Sequence, residues 1–306
     1  MKNTINNSTF AAIDVGGTNT RFALFDEKGE IILKNKTATN YNDAGETLNW
    51  ILKNIEEHKI NYLALCIPGP SDYANGIVLK SPNLGASWEN LDLKKYLLEN
   101  SSYLKDVIFE NDANAMAYAN HKMNNCNKDE ISQFFTISTG FGAGLVIDNK
   151  IYHGNKYYAE EIAQLPISAK PFFGEHRLLN PFALELHCSG TGIETKGKFY
   201  QIANSTKEVF ELAKKENKVA LEIIAEAKDA LARTFAIFAG IIAPHYFFVG
   251  GSVALNSKKM IKEAFEEAKK MSDPNHFKET KLIFDKMGDD SALIGLYHLI
   301  KDKNSK

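Results

Sequence analysis

Two glycine-rich strings contain the residue types that bind phosphate. Residues 14–21 read DVGGTNTR, an acid followed by two glycines and hydroxyl side chains. Glycines let backbone N–H groups approach phosphate oxygens closely, and a turn of such groups forms a nest for anions. The carboxylate of Asp14 could hold a magnesium ion through water, because magnesium keeps most of its hydration shell. A plain hairpin turn is the structural alternative, but the complete string favours phosphate binding.

The second string, STGFGAG at residues 138–144, has the spacing Gly-x-Gly-x-Gly. This spacing differs from the dinucleotide-binding fingerprint, and the string leads into a strand instead of a helix, which argues against a Rossmann site. No Walker-type phosphate loop occurs in the sequence. Alone, the string is equally compatible with a tight turn and with a phosphate loop. Beside the first string, a phosphate loop is the better interpretation.

A third string, ENDANA at residues 110–115, follows an apolar run and begins a helical stretch. Phosphoryl transfer to an alcohol needs a group that accepts the hydroxyl proton, and Asp112 is the candidate. Such a base typically contributes about 10²–10⁴-fold to the rate. The competing interpretation is that Asp112 only caps the helix. A fourth string, FVGGS at residues 248–252, could line an adenosine site, although a strand-to-helix turn explains it nearly as well.

The elements that must position these strings follow a repeated pattern. A strand, a glycine turn, a strand, a second turn and a third strand occur over residues 10–34 and again over residues 131–152. The repeat predicts two similar α/β halves. Apolar residues at helical spacing predict helices over residues 44–58, 207–215, 219–243, 257–271 and 291–301. A chain of 306 residues is also long for one core, which favours two domains.

Composition narrows the class of function. The net charge is −2, and no basic stripe or polybasic segment indicates nucleic-acid or membrane-surface binding. The longest apolar run is shorter than the roughly 20 residues of a membrane span, and the N-terminal residues do not read as a signal peptide. Three cysteines without a Cys-x-x-Cys pair argue against a disulfide framework. We therefore expect a cytoplasmic protein.

Six motifs in a fixed order resemble the ROK family of repressors, open reading frames and sugar kinases. They are the strings at residues 14–21, 68–70 (PGP), 81–85 (SPNLG), 110–114, 139–144 and 250–252. The resemblance runs from about residue 10 to the last predicted helix. It implies a two-domain actin-like ATPase (ribonuclease H-like) fold with ATP in a central cleft. The expected domains are residues 1–113 with about 290–306, and residues 114–289.

The resemblance also implies roles for individual residues. Asp112 would be the general base, and Asp14 would assist magnesium through water. The implied sugar ligands are Asn83, Asn111, Asp112, Glu161 and Glu185. The implied nucleotide ligands are Asp14, Gly16, Gly17, Thr18, Asn19, Arg21, Thr139, Gly140, Gly142, Gly250 and Gly251.

The sequence departs from the family where relatives bind zinc. The family string AGEIGH corresponds to AEEIAQ at residues 159–164, so Glu161 is kept but the zinc-binding histidine becomes Gln164. The family's cysteine-rich loop corresponds to HRLLNPFALE at residues 176–185, which keeps Glu185 and contains no cysteine. We therefore expect no structural zinc. Four other donors have unsuitable spacing for a compact site: His153, His176, His187 and Cys188.

The favoured function is an ATP- and magnesium-dependent hexose kinase of carbohydrate metabolism and glycolysis, with glucose as the first substrate and glucose 6-phosphate as the product. N-acetylglucosamine, N-acetylmannosamine and fructose are alternative acceptors. A transcription regulator is disfavoured because no helix-turn-helix domain fits ahead of Asp14. A catalytically silent sugar-binding protein has no need of a base such as Asp112. The resemblance implies a homodimer, because many relatives pair, and neither nucleic acid nor a membrane is expected as a partner.

Overall fold

The computed structural model describes residues 9–81, 83–176, 178 and 180–304, and Pro82 of the SPNLG motif lies outside them. Contacts between Cα atoms divide the chain into two compact units. The first unit comprises Met1–Asn125, Gly154–Tyr157 and Asp289–Lys306, and the second comprises Cys126–His153 and Tyr158–Gly288.

The first unit contains a five-stranded sheet of order β3-β2-β1-β4-β8. The strands β1, β2 and β3 form an antiparallel meander, whereas β4 and β8 run parallel to β1. A small antiparallel sheet of β5, β6 and β7 accompanies it. The strands are β1 Phe10–Val15, β2 Asn19–Phe25, β3 Ile31–Ala38, β4 Tyr62–Cys66, β5 Ser71–Asp72, β6 Ile77–Val78, β7 Leu91–Asp92 and β8 Asp106–Glu110.

Four helices cover the two faces of this sheet. They are α1 Ala44–Glu57, α2 Leu93–Asn100, α3 Asp112–Met123 and α10 Ser291–Asn304. One apolar core joins α1 and α2 to the sheet, and a second joins α10 to the opposite face. The strand β4 is therefore buried almost throughout, as expected for a parallel strand covered on both sides. The edge strand β3 instead alternates between half-buried and exposed residues.

The second unit repeats the plan with a sheet of order β11-β10-β9-β12-β13. Again the first three strands are antiparallel, and β12 and β13 run parallel to β9. The strands are β9 Ser132–Ile137, β10 Phe141–Ile147, β11 Lys150–Ile151, β12 Tyr246–Gly250 and β13 Lys281–Phe284. The helices are α4 Leu184–Cys188, α5 Gly190–Phe199, α6 Thr206–Lys214, α7 Lys218–Ile242, α8 Ser252–Asn256 and α9 Lys258–Met271.

The second core is built around α7, whose small residues allow close packing. The ring centroid of Phe235 in this helix lies 5.1 Å from that of Phe247 and 5.4 Å from that of Phe265, and both pairs are edge to face. Each fully buried phenylalanine contributes about 1.5–3 kcal/mol through the hydrophobic effect. Within the part of the chain that the structure describes, α7 and every other helix fall short of the apolar length needed to cross a membrane. The repeated sheet order confirms the predicted pair of α/β halves.

Candidate functional site

The glycine turn of the first unit joins β1 to β2. The amide of Gly16 donates to the carbonyl of Asn19 over 2.9 Å, which closes the turn. A β-carbon on Gly17 would lie 3.0 Å from the carbonyl oxygen of Asn83 and 3.2 Å from its Cβ. The close approach of another chain segment therefore favours glycine here. As a result, Asn83, a predicted sugar ligand, lies directly against the predicted phosphate-binding turn.

Asp14 and Arg21 pair across the first two strands. They occupy opposite positions in the β1–β2 register, and both Nε and Nη2 of Arg21 donate to Oδ2 of Asp14. Nη1 of Arg21 donates to the carbonyl of Asp289 over 2.7 Å. Burial opposes the charge of Arg21, but nearby carboxylates, Asp14 foremost, raise its pKa. The guanidinium thus orients Asp14 and leaves the second carboxylate oxygen unbonded to Arg21.

The helix α3 begins at the end of β8, and Asn111 is its N-cap. The side-chain oxygen of Asn111 accepts from the amides of Ala113 (2.8 Å) and Asn114 (3.3 Å). Asp112 is the first residue inside the helix, and its Oδ1 accepts from the amide of Ala113 over 2.8 Å. Because Asn111 caps the helix, capping does not explain Asp112.

Three carboxylates gather at the carboxyl ends of neighbouring parallel strands. The register places Asp14 beside Cys66 and Cys66 beside Glu110, and Asp112 follows two residues later. The pKa of Asp112 is raised, first by desolvation and second by the negative charge of Asp14. Asp112 keeps an exposed surface, so this desolvation is partial. A carboxylate with a raised pKa is a better proton acceptor than an ordinary aspartate.

Two further side chains support this cluster and were not found by sequence reasoning. Glu110 is buried, and its Oε1 accepts from the amide of Asn111 (2.9 Å) and from the side chain of Asn114 (3.0 Å). Tyr73 is also buried and hydrogen-bonds the side chain of Asn111. The sequence contains no pattern that indicates Tyr73, because its role depends on its burial beside Asn111, which lies far along the chain.

The second glycine loop lies between β9 and β10 and is held by two helices. The amides of Gly190 and Thr191, at the start of α5, donate to the carbonyls of Ser138 (2.7 Å) and Thr139 (3.0 Å). Glu185 of α4 accepts from the amide of Phe141 over 3.0 Å. A β-carbon on Gly140 would lie 2.8 Å from the same carboxylate oxygen.

Glu185, predicted to bind sugar, is thus in direct contact with the loop predicted to bind phosphate. The loop residue Thr139 is exposed, whereas Gly142 lies half-buried within β10, opposite Thr136. Oε2 of Glu185 also accepts a hydrogen bond from the loop backbone. The loop conformation therefore depends on the position of α4.

The predicted sugar ligand Glu161 is exposed and precedes a single 3-10 turn, Ile162–Gln164. Its neighbour Glu160 is more enclosed and accepts from the side chain of the buried Gln133 over 2.5 Å. Desolvation raises the pKa of Glu160 to about 7, although the bond from Gln133 opposes the shift. Sequence reasoning did not distinguish the environments of these adjacent glutamates.

The strand β12 ends at Gly250, and the next residue, Gly251, is the N-cap of α8. Its φ is +87°, and a β-carbon there would lie 2.4 Å from the carbonyl oxygen of Ile137. Beyond this turn is a cavity of about 830 Å³ within the second unit. Its walls include the apolar side chains of Phe210, Val253 and Met260, with lysines and glutamates among the other lining residues. Its size is within the range of small-molecule sites.

The donors His187 and Cys188, named above as alternatives to the family's zinc ligands, already have partners within the protein. The two ring nitrogens of His187 already contact the carbonyl of Pro181 (3.1 Å) and Nζ of Lys196 (3.1 Å). The thiol of Cys188 donates to the carbonyl of Leu184, and burial raises its pKa. Over residues 9–81, 83–176, 178 and 180–304, no three His, Cys, Asp or Glu side chains form a metal-binding group.

Comparison with known proteins identifies the family. The ROK family model matches residues 10–303. The chain is 25% identical to a glucokinase of Thermotoga maritima over 95% of this chain and 96% of that protein. It is 27% identical to an N-acetyl-D-glucosamine kinase of Vibrio cholerae over 80% of this chain and 84% of that protein.

Among solved structures, a ROK hexokinase from Thermus thermophilus is similar with a TM-score of 0.82 and 23% identity, covering 97% of this chain and 99% of that one. This likeness confirms the expected actin-like ATPase fold.

Proposed function

Because the chain belongs to the ROK family, we propose that it is a sugar kinase that transfers the γ-phosphoryl group of ATP to a hexose hydroxyl, with Asp112 as the general base. The observation that carries this proposal is the placement of Asp112. It is the first residue of α3, Asn111 performs the capping, and Asp14 lies at the carboxyl end of β1, which only β4 separates from β8 in the sheet. The reaction requires a base that accepts the hydroxyl proton and an acidic side chain suited to a magnesium-bound phosphate.

The proposed reaction proceeds through the free oxygen of Asp112. The bond from the amide of Ala113 to Oδ1 fixes the carboxylate and leaves Oδ2 for the sugar hydroxyl. As the hydroxyl oxygen bonds to the γ-phosphorus, its proton moves to Asp112, and the bond from phosphorus to the bridging oxygen of ADP breaks. The raised pKa of Asp112 favours this proton transfer.

The residues that would hold ATP and magnesium fit these ligands. The amides of Gly16 and Phe141 are already bonded to Asn19 and Glu185. The other backbone amides at residues 17–18 and 139–142 are suited to phosphate oxygens, since glycines keep the backbone accessible. The second oxygen of Asp14 can accept a hydrogen bond from magnesium-bound water while Arg21 holds the first. Magnesium, when bound, neutralises charge on the phosphates. The 830 Å³ cavity beside Gly251 is suited to the adenine ring through its apolar walls.

The sugar ligands of the proposal are polar side chains that can pair with hydroxyls. Asn83, Asn111 and Asp112 belong to the first unit, and Glu161 and Glu185 to the second. An unpaired buried hydroxyl costs about 1–3 kcal/mol, so such residues are what a polar sugar needs. Glucose is the first proposed substrate, and N-acetylglucosamine, N-acetylmannosamine and fructose are the alternatives. A cytoplasmic homodimer remains our expectation.

The test is ADP release from ATP and magnesium over a panel of hexoses and N-acetylated sugars. We compare the wild type with Asp112→Asn and use Asp106→Asn as the matched control, because Asp106 begins β8, the strand that leads to Asp112, and pairs with Lys303. Asp112→Asn should lose about 10²–10⁴-fold in turnover. The control should keep its activity.

Two results would contradict the proposal. Full turnover in Asp112→Asn would remove Asp112 as the base. Absence of sugar-dependent release in the wild type, together with sugar binding by calorimetry, would indicate a silent binding protein.

A further inference from the structure

A lysine is buried in the second unit among partners from three other segments. The side chain of Lys196 on α5 is only 4% exposed. Its Nζ lies 2.6 Å from Oε2 of Glu226 on α7 and 3.1 Å from Nδ1 of His187 on α4. It also lies 5.6 Å from the ring centroid of Phe172. Burial of an ammonium ion is unfavourable unless the ion is paired, and here Glu226 supplies the opposite charge and His187 a second acceptor.

The hydrogen bonds determine the state of His187. Because the ammonium donates to Nδ1, this nitrogen carries no proton, and Nε2 donates to the carbonyl of Pro181 over 3.1 Å. Burial, followed by the charge of Lys196, lowers the pKa of His187, which agrees with a neutral ring. The network therefore joins α4, α5 and α7 to the segment that contains Phe172 and Pro181.

The two shorter helices of this network hold the second glycine loop. His187 lies two residues after Glu185 on α4, and Glu185 accepts from the amide of Phe141. The start of α5, six residues before Lys196, donates to the loop carbonyls of Ser138 and Thr139. A shift of either helix would therefore move the loop.

We propose that Lys196 is a positioning residue for Glu185: its buried ammonium ion, bonded to His187 and Glu226, fixes α4 so that the Glu185 carboxylate stays on the loop at residues 139–141. The effect on sugar binding rests on the proposed function of Glu185. The ammonium ion contacts the helix that follows the segment in which the sequence departs from the family's zinc-binding strings, and the nearby His187 and Cys188 are bonded within the protein. A cation that belongs to the chain thus orders this region without a metal.

The test measures hydrogen exchange at the amide of Phe141, which reports the Glu185 bond directly. Lys196→Met removes the charge and keeps an unbranched side chain of similar length. Lys198→Met is the control, because Lys198 lies on the same helix, 53% exposed, and pairs only at the surface with Glu194. Glu226→Gln is a second variant, since this partly exposed position should tolerate substitution if Lys196→Met does not fold.

Exchange at Phe141 should accelerate about tenfold or more in Lys196→Met, and less in Glu226→Gln, while Lys198→Met and the core amide of Val249 stay unchanged. The Michaelis constant for sugar should rise more than the turnover number falls. A chelator should not change the melting temperature of the wild type.

Unchanged protection of Phe141 in both network variants would overturn the proposal, even if their melting temperatures fall. Stoichiometric zinc bound at His187 would overturn it too. If the wild type shows no sugar-dependent activity, the proposed function fails, but the exchange at Phe141 still decides the role of Lys196.

Discussion

A methyl group added at Gly295 tests how closely α10 must approach α3. The new β-carbon would lie 1.8 Å from the carbonyl oxygen of Ala115, 2.6 Å from its carbonyl carbon and 3.2 Å from its Cα. Ordinary contact begins at 3.4 Å, so the shortest separation is too small by 3.4 − 1.8 = 1.6 Å. The contacted atoms are helix backbone and cannot rotate away. Gly295→Ala must therefore displace one helix from the other.

The magnitude follows from two opposing effects. Overpacking a core typically destabilises by about 1–3 kcal/mol, and a backbone clash belongs at the upper end. Alanine recovers up to about 1 kcal/mol through its better helix propensity. We expect a net loss of about 2 kcal/mol or more. Because α3 begins with Asp112, three residues before Ala115, turnover should also fall, and a 1 Å misplacement can cost about 10²-fold.

The assay is urea unfolding together with sugar-dependent ADP release. Gly240→Ala in α7 is the matched control, because its β-carbon would meet nothing closer than 3.7 Å. The control should keep its activity and gain up to about 1 kcal/mol. A Gly295→Ala protein as stable and as active as the wild type would refute the inferred closeness of the two helices.

Three further outcomes are expected. Glu160 has a pKa raised to about 7, so its contribution to stability is present below about pH 4.5 and is lost as the pH rises through 7. Glu160→Gln should remove this dependence and be more stable than the wild type by up to about 3 kcal/mol at pH 8 in urea unfolding. If the stabilities of the wild type and the variant change equally with pH from 5 to 8, the raised pKa of Glu160 is contradicted. Gly251→Ala should destabilise by more than about 1 kcal/mol, given its positive φ and the contact with Ile137, and an unchanged urea midpoint would count against it. Arg21 lowers the pKa of Asp112, so Arg21→Met should move the acid limb of the kcat/KM profile to higher pH. A limb that moves to lower pH or does not move would contradict this effect of Arg21.

Elements with a strong period were predictable from the sequence. The helices α7 and α10 and both antiparallel meanders occur within a few residues of their predicted bounds, because each buries one periodic face. Shorter elements were missed. The strand β13 has four residues, and its ladder partner β12 lies more than 30 residues earlier. The helices α4 and α5 were not predicted, since their apolar residues span too few turns to show a period.

The candidate site was predictable where its signal was local. The acid and the two glycines lie next to each other in the sequence, so Asp14 and the turn at residues 16–18 could be proposed from the sequence alone. The choice between capping and catalysis at Asp112 was not decidable, because both Asn111 and Asp112 are good capping residues. Lys196 gave no signal, since a lysine on an amphipathic helix reads as a surface residue until its neighbours are known.

The order of the chain has a consequence for how the protein is made. The helix α10 completes the core of the first unit, yet the ribosome synthesises it after the whole of the second unit. Domains emerging from the ribosome generally fold from the N-terminus onwards. Here the α10 face of the first unit's sheet stays uncovered until the second unit, which ends at Gly288, has been synthesised. The half of the chain that is made first therefore cannot complete its core before the other half has been made.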